Sequence, residues 1–214
     1  MAHAANDLPA VPDSWPGGFG LFKFSREAVR VNLVAIVVVN ILSIVLTVGL
    51  EIAFKRPGQL ASYLIGPLTT VMTTLLYIKS VRRETLGISE AFQQALPFWL
   101  RSLGLAILVS FIVLGSFIAL IIPFFIVYPR LLLTQYFLVD KDLGVLAAIN
   151  ASWVATKGHA LNVWAIVGVT ILFAVLCLTI IGIPFAIYLL VMYSAAFGVL
   201  YEMIKDTPLP EKTK

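Results

Sequence analysis

Residues Pro123 to His159 read PFFIVYPRLLLTQYFLVDKDLGVLAAINASWVATKGH. The first 17 of them, Pro123 to Val139, are apolar apart from a single arginine, Arg130, and a few uncharged polar residues. The run ends in the turn Asp140-Lys141-Asp142, and a polar-aromatic segment around Ser152, Trp153 and Lys157 leads into the next apolar run. At about 1.5 Å per helical residue the first part is roughly 25 Å long, slightly short of the roughly 30 Å of a bilayer's hydrocarbon layer. Such a helix crosses lipid nearly upright or leaves one end in the interface.

The rest of the chain points the same way. Of its 214 residues, 60% are hydrophobic and 12% charged, and the mean hydropathy is +1.00. A soluble core of this size cannot bury so much apolar surface, so lipid must act as the solvent. Six runs are long enough to cross it: Val31 to Phe54, Leu60 to Ile78, Leu103 to Ile122, Pro123 to Val139, Leu161 to Ile181, and Pro184 to Met203. The expected fold is all-α and polytopic, with a flexible cytoplasmic tail over 1–22, a six-helix membrane domain over 23–204 and a second tail over 205–214. The first twenty residues carry several prolines and glycines and lack the basic and apolar regions of a signal peptide. The first run is therefore expected to serve as the uncleaved targeting signal.

Basic residues set the expected orientation. Lys23, Arg26 and Arg30 precede the first run, and Lys79, Arg82, Arg83 and Arg101 separate the second from the third. Lys141 and Lys157 lie between the fourth and fifth, while Lys205, Lys212 and Lys214 follow the sixth. Only Lys55 and Arg56 lie in the first opposite loop, so the positive-inside rule places both termini in the cytoplasm of a bacterial cell, at its inner membrane. The sequence pI of 9.3 is accounted for by this topology, with some attraction to anionic lipid heads, and does not point to nucleic acid.

An internal repeat organises the six runs. Each odd run follows a short polar-apolar segment: Phe24 to Val29, Ile88 to Phe92, and Leu146 to Ile149. Each even run is read as starting at a proline, Pro67, Pro123 or Pro184, and the chain leaves the membrane 17 residues later, near Glu84, Asp140 and Tyr201-Glu202. Proline suits a helix start, where its missing N–H would have no partner anyway. The pattern predicts three helical hairpins, each introduced by a short cytoplasmic interfacial helix.

Few residues are left to carry chemistry. Arg130 is a charge inside a predicted span, where charge is costly enough to mark a candidate site. With Thr134 and the threonines Thr69, Thr70, Thr73 and Thr74 it could bind an anionic headgroup or solute. Alternatively it snorkels to the surface, or satisfies a carbonyl freed by Pro129. Trp153 can anchor at headgroup depth, Lys157 can meet a phosphate, and Gly158 can let the chain turn into the fifth run. Cys177 is the single cysteine, which excludes an intramolecular disulfide, and neither His3 nor His159 has partners at metal-ligand spacing. No cofactor is expected, and no catalytic motif is found that would make the chain an enzyme.

The motifs Arg130-Leu131-Leu132-Leu133, Phe137-Leu138-Val139-Asp140, Ala147 to Trp153 and Thr156-Lys157-Gly158-His159 resemble a broad family of uncharacterised bacterial six-helix membrane proteins. That family is similar to the membrane domain attached to some glycerophosphodiester phosphodiesterases. The likeness covers about residues 80 to 203, and the chain lacks any fused catalytic domain. It implies a membrane module beside lipid chemistry or within a larger assembly. The expected function is thus a non-enzymatic inner-membrane module that packs against lipids or a protein partner, which could be a second copy of itself, with Arg130 as a candidate anionic-headgroup site. The alternative is a small transporter or lipid-handling protein.

Overall fold

The computed structural model describes residues 11–54, 56–119, 121–178 and 182–206, and among these every regular element is helical. In chain order they are α1 (Leu21–Val31), α2 (Leu33–Phe54), α3 (Arg56–Val81), α4 (Ile88–Ala95), α5 (Trp99–Ala119), α6 (Ile121–Leu131), α7 (Thr134–Asp140), α8 (Val145–Ala155), α9 (Ala160–Val175), α10 (Gly182–Tyr193) and α11 (Ala196–Ile204). Four helical segments are long and apolar enough to cross a membrane: Leu33–Phe54, Ala61–Val81, Ile88–Ile118 and Gly182–Ile204. A fifth results if α8 and α9, which meet at 98°, are counted as one bent span.

The fourth run expected from sequence, Pro123 to Val139, is not one helix. It divides into α6 and α7 at Leu132 and Leu133, where the backbone makes a turn. Pro129 lies just upstream inside α6, and proline both removes a backbone donor and crowds the carbonyl four residues before it. That carbonyl, on Phe125, instead accepts the indole N–H of Trp164 at 3.0 Å. Pro67 also departs from expectation, lying inside α3 and not at a helix start. One residue beyond the carbonyl that Pro67 frees, the Trp99 indole donates to the Leu64 carbonyl at 2.7 Å. Pro123 and Pro184 do fall in the first turns of α6 and α10.

Helices α2 and α3 run antiparallel. Asn32 bonds Ser80, Ser43 bonds Thr69, and Ser62 bonds the Thr47 carbonyl, so the partner number falls as the other rises. The segments that introduce the odd runs differ from one another. The helix α8 turns sharply into α9, whereas α4 continues through a 3-10 turn at Leu96–Phe98 into α5 as one 31-residue segment. Helix α1 is strongly amphipathic and buries Leu21, Ser25, Ala28 and Val29.

The core lies where the last turns of α3 meet α7 and α11, with Leu76, Ile78, Leu133, Phe137, Leu138, Leu200 and Tyr201 fully buried. Gly198 lies at this junction, its α-carbon facing the Val81 and Tyr77 side chains. By contrast α2, α5 and α10 present large apolar side chains outward, among them Ile44, Phe111 and Phe185. In lipid such exposure carries no hydrophobic penalty, since acyl chains are as apolar as the side chains.

Part of the expected N-terminal tail is packed. Within 1–22, the described residues from Val11 onward lie against the core through Val11 and Trp15. The Tyr193 hydroxyl donates to the Gly18 carbonyl at 2.6 Å, and Phe19 meets Phe173 edge-on. These aromatic anchors outweigh the proline and glycine content on which the tail reading rested. Residues 1–10, and most of the tail expected over 205–214, lie outside the described residues.

Candidate functional site

The break between α6 and α7 places Arg130 against α8. Its guanidinium donates to the Trp153 carbonyl at 3.0 Å and lies 5.2 Å from the centre of the Trp153 ring, within cation–π range. In return the Ser152 hydroxyl donates to the Arg130 carbonyl at 2.5 Å. This contact locks the end of α6 onto α8. Among the described residues no carboxylate lies within ion-pair distance of Arg130, whereas Arg26, Arg30, Arg82 and Arg101 each have one. Arg130 therefore keeps guanidinium N–H groups that the protein does not use.

Of the residues expected to join it, Trp153 does and two others do not. Thr134 is buried one turn on, and its hydroxyl finds no partner among the described residues. Lys157 is exposed in the turn that follows α8, four residues beyond Trp153. The threonines of α3 lie elsewhere, lining a separate pocket against α2 and α7.

Gly158 ends the α8–α9 corner with φ of +89° and open space around its α-carbon. Only the backbone restricts that position, because an L side chain is strained there. Gly158→Ala is expected to cost about 1–2 kcal/mol, read as a lower unfolding midpoint in detergent.

A second polar cluster was not singled out from the sequence. Arg82, just past α3, donates to Asp140 at 2.7 Å and to Glu202 at 2.8 Å, so one guanidinium ties α7 to α11. The Tyr201 hydroxyl also donates to Asp140 at 2.7 Å, and Lys205 pairs with Glu202 at 2.6 Å. The side chains of Asp140 and Glu202 are only 12% and 7% exposed, so neither can rely on water as its partner. Burial pushes the Asp140 carboxyl up, but hydrogen bonds from Arg82 and Tyr201 outweigh it and hold the group below its ordinary value. The signal for this cluster was the spacing that put Glu84, Asp140 and Tyr201-Glu202 at equal distances from three prolines.

Asn32, in the break between α1 and α2, makes a third junction. Its amide donates to the Ser80 hydroxyl at 2.9 Å and the Glu84 carbonyl at 2.8 Å, and its side-chain oxygen accepts from the Leu86 N–H at 2.8 Å. Gln135, on α7, exchanges hydrogen bonds with Ser102 of α5, the interhelical role a lone amide is suited to. Among the described residues no group of three His, Cys, Asp or Glu side chains could hold a metal ion. Comparison with known protein families, characterised proteins and solved structures finds no match to this chain.

Proposed function

We propose that this chain is a non-enzymatic integral membrane module that holds an anionic phospholipid headgroup at the Arg130 corner. The observation that carries the reading is Arg130 itself, a cation on an apolar helix, stacked on Trp153 and without a carboxylate partner among the described residues. Guanidinium N–H groups left over from Trp153 match a phosphate. Arg82, partly exposed like Arg130, follows the opposite pattern, with both of its acids supplied from within the chain.

In this reading six apolar runs form three hairpins, with α6 and α7 together making one broken crossing and both termini on the cytoplasmic side of a bacterial inner membrane. The antiparallel bonding of α2 with α3 and the ring contact of Phe117 with Phe124 support two of the hairpins.

Native mass spectrometry of protein gently extracted from a bacterial membrane tests the proposal. The wild type is expected to keep one anionic phospholipid, and Arg130→Leu to weaken that retention about tenfold, the loss of one charge-assisted contact. Equal retention by the variant removes Arg130 from the site. A stoichiometric companion protein in place of lipid assigns the corner to subunit assembly.

A further inference from the structure

The α3 threonines open onto a pocket whose hydrogen-bonding character is one-sided. A space of about 260 Å³ between α2, α3 and α7 is lined by Asn40, Ser43, Thr69, Thr70, Thr73, Thr74, Tyr77 and Tyr136. All eight side chains are polar and none is charged. In a bundle that turns Ile44, Val45 and Phe111 outward to lipid, so polar a lining is out of keeping with its surroundings.

The serine, threonine and asparagine donors of this lining are already committed. Thr69 and Thr70 both donate to the Gly66 carbonyl at 2.9 Å, Thr73 donates to Thr69 at 2.7 Å, and Thr74 to Thr70 at 2.8 Å. Ser43 gives its proton to the Thr69 hydroxyl at 3.1 Å, and the Asn40 amide donates to the Ile36 carbonyl at 2.7 Å. The hydroxyls of Tyr77 and Tyr136 are the main donors that these bonds leave over. A hydroxyl whose proton goes to a carbonyl keeps its lone pairs, so the pocket presents acceptors and few donors.

We infer that this pocket binds a monovalent cation, bare or partly hydrated, through the hydroxyl oxygens of Ser43, Thr69, Thr73 and Thr74. A divalent ion such as Mg²⁺ or Ca²⁺ is ordinarily held with carboxylates, and the lining has none. An anion would need a positive charge and several donors, and the lining offers no charge and little beyond its two tyrosine hydroxyls. The charge cluster at the ends of α3, α7 and α11 combines Arg82 and Lys205 with Asp140 and Glu202, which cancel and leave no net positive charge to repel a cation. At about 30 Å³ per water the volume exceeds that of a bare ion and leaves room for part of its hydration shell.

Cation-dependent melting of the detergent-purified full chain tests this. Unfolding midpoints are measured at constant ionic strength in N-methylglucamine chloride and in titrations of lithium, sodium, potassium, rubidium and ammonium chloride. One of these small cations is expected to raise the midpoint by several degrees in a saturable way, because it binds the folded state alone. Thr73→Val keeps the side-chain shape while removing the oxygen, and is expected to weaken the apparent affinity at least tenfold, as is Ser43→Ala. Thr170→Val, which removes an equivalent back-bonded hydroxyl on α9, is expected to leave the shift unchanged. Equilibrium binding of radiolabelled sodium or rubidium to the wild type gives a readout that does not depend on variant folding. Identical melting in all salts together with no bound radiolabel, or a shift that survives Thr73→Val undiminished, overturns the inference and leaves the pocket to water.

Discussion

Replacing Arg82 with methionine is expected to destabilise the folded chain by about 3 kcal/mol, the range seen when one partner of a buried ion pair is removed. The loss is not that of a surface salt bridge, because the two stranded carboxylates are 12% and 7% exposed. Asp140 keeps only the Tyr201 hydroxyl and Glu202 only Lys205. The triple variant Arg82→Met, Asp140→Asn, Glu202→Gln removes the stranded charge and is expected to recover most of the stability. Unfolding in detergent with increasing denaturant reads each effect.

The pH dependence of the same variant separates charge from shape. In the wild type the Asp140 carboxyl is held below its ordinary value, so its stabilising contribution is present above about pH 4 and is lost as pH falls through the lowered value. Without Arg82, burial is opposed only by Tyr201 and Lys205, and the folded-state value is expected to rise above the unfolded one. Folding then takes up a proton, and the deficit of Arg82→Met is expected to be larger at pH 8 than at pH 5. A deficit independent of pH would mean that lost packing, not stranded charge, is responsible.

Asn32→Ala is the second large effect, with an expected cost of about 2–3 kcal/mol. Truncation removes the partner of the fully buried Ser80 hydroxyl and of the Leu86 N–H, and an unsatisfied buried polar group costs roughly 1–3 kcal/mol. Asn32→Asp tests which half of the amide matters. It keeps the acceptor for Leu86 but sets a carboxylate against the Glu84 carbonyl, so it is expected to be no milder than alanine. Hydrogen exchange should report faster opening of the 82–87 connection in both variants before global unfolding is affected.

The sequence made the helical membrane class legible because hydropathy depends on composition alone. It could not reveal the break at Leu132-Leu133, where three leucines in a row read as uninterrupted helix. Pro67 was misplaced for a related reason: proline favours helix starts, but an α3 carbonyl near it finds a partner in Trp99, and the helix runs on. Arg130 stood out because it is a charge inside an apolar run. Arg82 did not, because it sat among other basic residues that topology already explained. Its partners lie 58 and 120 residues away, and only the convergence of three helix ends brings them together.

The proline-associated carbonyls also constrain the order in which the chain can mature. The Leu64 carbonyl in α3 is capped by Trp99, the Phe125 carbonyl in α6 by Trp164, and the Arg130 guanidinium rests on Trp153. In each case the tryptophan lies downstream, 23 to 39 residues nearer the C-terminus. A ribosome delivers the exposed polar group first and its cover later. Helix α6, whose Phe125 carbonyl is the one Pro129 frees, must therefore wait beside the translocon, or borrow water there, until Trp164 arrives.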